Sequence, residues 1–206
     1  MKAKLLVPVL AVTLLTVGAP SALAQPGEPA GPHTSVEWRI WAYSTAAPSF
    51  ISENATVEDA GNNVLREGTN GWTCLPINPR GMADPEKGWK DPHEAMPVCG
   101  DEEGFKWITA YVSGETPQLD RDTFMWMLHG DMGEDNTTPL VMSKSDAENP
   151  VNWIESGPHL MLMPKDPKSL DKFTSDFMTG SPYTMFRGTD YAHLMIPMED
   201  YYDYHK

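Results

Sequence analysis

Three short segments set histidine and methionine at spacings that one strand face can present together. Side chains two apart on a strand point the same way. In residues 123–129 (TFMWMLH) this groups Met125, Met127 and His129, opposite Phe124, Trp126 and Leu128. In residues 159–163 it groups His159, Met161 and Met163, opposite Leu160 and Leu162. In residues 193–198, His193 and Met195 share a face, opposite Leu194, Ile196 and Met198. Thioether and imidazole together suit Cu(I), which an exported protein meets outside the reducing cytosol. Met125, Met127, His129, His159, Met161, His193 and Met195 are therefore the candidate soft-metal set, with copper as the candidate cofactor. The pairs His159-x-Met161 and His193-x-Met195 match the His-x-Met fragment of secreted copper carriers, without the wider methionine spacing upstream. Packing is the simpler account: methionine fills irregular gaps between covered sheet faces, and each histidine bonds backbone at a strand end. Geometry separates the two, because ligands must converge near an opening whereas packing residues spread through the core.

Other chemistry-bearing groups are sparser. Asp131, Glu134, Asp135 and Asn136 in GDMGEDN offer oxygens to Ca²⁺. The run lacks the alternating acids and closing Glu of an EF-hand loop, so a solvated loop is expected. Asn54 and Asn136 begin glycosylation sequons, meaningful only for secretion through an endoplasmic reticulum. The chain has no Gly-x-Ser-x-Gly, His-Glu-x-x-His or phosphate-cradling glycine loop. If the chain is a hydrolase, His129, Asp131 and His159 are the first residues to inspect.

The N-terminus carries an address. Lys2 and Lys4 precede an apolar run over residues 5–17, and Ala22-Leu23-Ala24 leads to Gln25. This is the pattern of a secretory signal peptide over residues 1–24. The run is too short to span a bilayer core of about 30 Å, and no later stretch is long enough. Residues 25–206 then form the exported chain, with 35–206 as a single globular domain after a Pro- and Gly-rich leader at 25–34, expected to be disordered. Without the two lysines the formal charge falls from −14 to −16. Such an acidic surface repels nucleic acid and anionic membranes, and leaves cations or basic proteins as charged partners. An isolated cysteine pair in an exported chain reads as a disulfide, Cys74–Cys99. Closing 26 residues contributes roughly 3.5 kcal/mol, with the Cα atoms expected about 4.4–6.8 Å apart. Five prolines inside the loop predict no regular element there.

These side chains need elements to hold them. Residues 36–43 (VEWRIWAY) alternate as a strand. Residues 55–58 and 63–66 read as strands around the turn at 59–62, and Asn70-Gly71 as a hairpin turn leading into a short strand at 72–75. Residues 101–113 form the main predicted helix, with acids in its first turn, Gly114 as its stop and a stripe of Phe105, Ile108 and Val112. Residues 123–129, 159–163, 183–187 and 193–198 complete the predicted strands, Trp153-Ile154 begins a short apolar patch, and 199–206 is a polar, tyrosine-rich tail. The sum is an α+β domain with a mostly antiparallel sheet of short strands and one main helix.

The phrases LREGTNGWTCLP (65–76), ESGPHLMLMP (155–164) and GTDYAHLMIP (188–197) resemble a family of uncharacterised exported bacterial proteins, the likeness running from Val64 to Pro197. The resemblance implies a bacterial, periplasmic or secreted protein and brings no activity, ligand or catalytic residue with it. With no recognisable catalytic set, a non-enzymatic binding or structural protein is the first expectation. Copper binding is the alternative, and a hydrolase the third.

Overall fold

The computed structural model describes residues 27–79 and 87–205, so the predicted signal peptide lies outside the described residues. The chain is α+β, with eight short strands in one mostly antiparallel sheet. In chain order the strands are β1 (Thr56–Glu58), β2 (Val64–Arg66), β3 (Thr73–Pro76), β4 (Pro97–Gly100), β5 (Thr123–Met127), β6 (Glu134–Asp135), β7 (Trp153–Ile154), β8 (His159–Met163), β9 (Tyr183–Met185) and β10 (His193–Pro197). The helices are α1 (Val36–Ser44), α2 (Ser49–Ser52), α3 (Pro92–Ala95) and α4 (Glu102–Ser113). The main sheet runs β2-β1-β3-β4-β5-β8-β10-β9, and β6 and β7 pair separately.

Residues 36–44 form α1, not the expected strand. Ser35 caps it by accepting from the Trp38 amide at 3.2 Å, and the helical spacing of Trp38 and Ala42 buries one stripe against the sheet. The same bulky residues satisfy a period of two or of 3.6, and the cap decides. The described part of the predicted leader is also engaged. Glu28 accepts from the Trp38 indole at 2.7 Å, and the His33 ring stacks on Trp38 at 4.2 Å.

Asn70-Gly71 does turn, with Gly71 at φ 77°, but no hairpin follows. β3 runs parallel to β1, which separates it from β2. The disulfide forms between directly opposed residues of β3 and β4. Its Cα atoms are 4.1 Å apart, closer than the expected range, because an antiparallel cross-strand pair brings them together. The loop it closes is not irregular throughout: α3 and most of β4 lie within it, with Asp91 capping α3.

α4 starts and stops where the sequence places it, with Asp101 as N-cap and Gly114 left-handed at φ 70°. Its buried face differs from the predicted stripe. Glu103, Gly104 and Trp107 are buried, while Val112 is 65 % exposed. The buried Glu103 accepts from the Asp120 amide at 2.7 Å and from Lys106 at 3.3 Å, which offsets its desolvation.

The sheet therefore separates two interiors. On one face Ala46, Ala47, Ile51 and Ala55 pack around the disulfide, beside the α1 cluster. On the other, α4 covers Val98, Met125, Met161, Met163 and Met195.

Candidate functional site

Strand register assembles most of the predicted His/Met set. Met125 pairs with Met161, Met161 with Met195, and Met195 with Tyr183, giving one row across β5, β8, β10 and β9. Met127 pairs with His159, and His193 with Met185. Directly opposed residues share a face, so six of the seven predicted residues lie on the α4 side and all six are buried. His129 lies apart. β5 ends at Met127, and the His129 ring bonds the Thr45 hydroxyl at 2.7 Å beside Trp41. Burial and the nearby His93 lower its pKa to about 4.

Between α4 and this face lies a cavity of about 230 Å³. Seven methionines line it: Met96, Met127, Met142, Met161, Met163, Met185 and Met195. Trp107, Tyr111 and Phe186 add aromatic surface, and Asp131, Glu134 and His193 are its charged or titratable groups. Val112, Leu140 and Met142, all substantially exposed, stand at its rim. Met125 is on the shared face but does not line the cavity. Gly100 and Gly104 make room for it: a Cβ at Gly104 would come 2.9 Å from its Cγ, and one at Gly100 would come 2.5 Å from its Cε. Met125 is a packing residue that seats α4.

His159 and His193 are built alike. Each opens a strand, and each turns Nδ1 to the carbonyl two residues earlier, Gly157 at 2.7 Å and Tyr191 at 3.0 Å. A carbonyl accepts, so Nδ1 carries the proton and Nε2 holds a lone pair. Burial lowers both pKa values, that of His193 to about 4. Nε2 of His159 is buried with no hydrogen-bond partner among the described residues. His159 itself does not reach the cavity wall; His193 does. The His193 ring stands edge-on to Trp107 at 5.1 Å and to Phe186 at 5.5 Å.

The GDMGEDN run is not a solvated loop. Asp131, Asp135 and Asn136 are each at most 5 % exposed. Asp131 accepts from the Gly133 amide at 2.9 Å and from the Ser156 hydroxyl. Asp135 accepts from the Thr137 and Thr138 amides at 2.8 and 2.9 Å. Among the described residues, no three of His, Cys, Asp and Glu form a group able to hold a metal ion. The predicted polar tail also folds inward: Tyr201 is buried, bonds the Tyr183 hydroxyl at 2.6 Å, and like Tyr183 has a phenol pKa raised by burial.

Of the residues singled out for hydrolase chemistry, His129 lies apart, while Asp131 and His159 come together with Ser156. Asp131, Ser156 and His159 are neighbours, yet Ser156 donates to Asp131 while His159 bonds the Gly157 carbonyl. Ser156 and His159 are both 0 % exposed. A nucleophile needs its base within hydrogen-bond reach and a path for substrate.

Sequence reasoning omitted Met163 and Met185 from the candidate set. The period-2 rule carried the signal for both, since Met163 follows His159 and Met161 on one face, and Met185 alternates with Thr184. What the rule cannot give is the pairing of β9 with β10 that sets Met185 beside His193.

No protein-family model, curated protein or solved structure matches this chain.

Proposed function

We propose that this chain is an extracytoplasmic binding protein whose ligand is a small, mostly apolar molecule held between α4 and the sheet. The observation that carries the reading is the cavity itself. It is concave, walled by methionine and aromatic side chains, and has few polar groups, as small-molecule sites do. Unbranched thioether side chains re-pack around different shapes, which suits a site of broad tolerance. The export pattern at residues 1–24 and the Cys74–Cys99 disulfide support the compartment, since such bonds persist where the medium is oxidising. No helix among the described residues is long and apolar enough to cross a membrane.

The test is fluorescence titration with N-phenyl-1-naphthylamine, an uncharged dye that brightens in apolar surroundings. One saturable site per chain is expected. Ile108→Trp, on the cavity wall, should abolish it, while Val151→Trp, at a position 76 % exposed away from the cavity, should not. Equal binding by the folded Ile108→Trp protein would overturn the reading.

A further inference from the structure

Beside Asp131 and Glu134, the wall of this cavity carries an imidazole that an apolar ligand does not explain. His193 is 3 % exposed, and its Nδ1 makes the ring's one hydrogen bond among the described residues. Its Nε2 is left as a bare lone pair, on a residue that lines the cavity. Methionines are its strand neighbours on this face. Met185 is its direct partner on β9, and Met195 is two residues along the same strand. The β8–β10 register, which pairs Leu194 with Leu162, sets Met163 on its other side. All three methionines line the same cavity. Cross-strand partners have Cβ atoms about 4.5–5.5 Å apart, and a methionine side chain spans that gap with freedom to turn its sulfur.

We propose that His193, Met163, Met185 and Met195 form a site for a soft d¹⁰ cation, Cu(I) in the cell, with imidazole Nε2 and thioether sulfurs as ligands. Two features support the soft metal over a hard one. Thioethers and a neutral imidazole hold Cu(I) and offer little to Ca²⁺, Mg²⁺ or Mn²⁺. A bond from the distal ring nitrogen to a backbone carbonyl is the usual outer support of a metal-bound histidine, fixing both tautomer and ring direction. The set differs from the one legible in sequence. His129 is bonded elsewhere, Met125 is packed beneath α4, and His159 stands two rows from His193, off the cavity wall.

The site rests on the same cavity as the proposed function, so the experiment reads both. Full-length exported protein is titrated with Ag(I), a redox-inert d¹⁰ probe, and anaerobically with Cu(I), each followed by native mass spectrometry and by His side-chain NMR. One ion per chain is expected, with the Nε2 resonance of His193 shifted on binding. Met185→Leu and Met195→Leu keep volume and polarity but remove a sulfur, so the fold is retained. Each should weaken binding at least tenfold, and the double variant should abolish it. Met125→Leu, at a residue packed beneath α4 and off the cavity wall, should change nothing. No bound ion, or binding indifferent to the double variant, would overturn the metal site. Dye binding measured on the same samples separates the two readings: dye without metal rejects only this inference, and loss of both rejects the cavity as a site.

Discussion

Acid should unfold this protein through its buried neutral histidines before its carboxylates matter. His193 is the cleanest case. Its pKa falls from 6.5 to about 4, chiefly by burial, with His159 pushing the same way and the Tyr191 carbonyl and Asp131 opposing. Between those values the unfolded chain binds a proton that the folded chain refuses. Stability is thus fully present above pH 6.5 and is lost as pH falls toward 4. At pH 5 the unfolded histidine is protonated in all but about 3 % of chains, and the folded one in about a tenth. The ratio of the two binding polynomials is about thirtyfold, or about 2 kcal/mol for His193 relative to pH 7.5. The perturbation is His193→Asn, whose amide nitrogen can still donate to the Tyr191 carbonyl but does not titrate. Urea unfolding at pH 5.0, 5.5, 6.0, 6.5 and 7.5 gives the comparison. The variant should be less stable at pH 7.5, and its deficit should shrink by about 2 kcal/mol at pH 5. Asp59 and Asp101, whose pKa values are lowered by hydrogen bonds and by Arg39 and Arg121, lose their contributions only at lower pH and stay outside the window. A deficit constant across the series would show that His193 titrates in the fold as it does in the unfolded chain, and burial would not be what holds its ring neutral.

Replacing both cysteines by alanine should cost about 3.5 kcal/mol in urea unfolding, and dithiothreitol should lower wild-type stability by a similar amount without touching the variant. Asp101→Ala removes the α4 cap from the Gly104 amide and the partner of the buried Thr123 hydroxyl, at a combined cost of about 2 kcal/mol, while Asp101→Asn should retain part of it. Gly104→Ala should destabilise by about 1–3 kcal/mol through contact with Met125, and the same change in a Met125→Ala background should be near neutral; additive costs would show that the two residues do not meet.

Much of the fold was legible because local signals agreed. Residues 159–163 alternate cleanly, and the strand buries His159, Met161 and Met163 as alternation requires. The α4 cap and stop were likewise written in Asp101 and Gly114. The misreadings arose where one pattern satisfied two periods or where distant chain decided. VEWRIWAY fits a strand or a helix, and Ser35 with the sheet beneath Trp38 selects the helix. The face of α4 turned on Gly104, whose missing side chain admits Met125 and so rotates Trp107, not Val112, toward the sheet. GDMGEDN looked soluble by composition, but Asp131 is drawn inward by Ser156, twenty-five residues away. For the site, the sequence supplied the residue types and the strand order supplied their neighbours. His129 lost its place because β5 stops two residues short of it, and Met185 gained one because β9 returns beside β10.

The two interiors of the sheet show why the cavity is a feature of the sequence and not a flaw in its packing. On the disulfide side of the sheet the chain uses Ala42, Ala46, Ala47 and Ala55, all 0 % exposed, and the layers close on one another. On the α4 side it uses long, unbranched methionines and leaves about 230 Å³ open. An apolar void of that size, were it sealed and dry, would cost on the order of 5 kcal/mol by the slope measured for buried truncations, a large share of a domain's stability. Water offsets little of it, because a water molecule needs two to four polar partners and the wall offers few. Leucine or phenylalanine at Met161, Met163 or Met195 would fill the space with stiffer side chains. The sequence packs one face tightly and leaves the other open toward Val112 and Leu140, and both the proposed apolar ligand and the proposed soft cation rest on that sulfur-rich wall and its oriented imidazole.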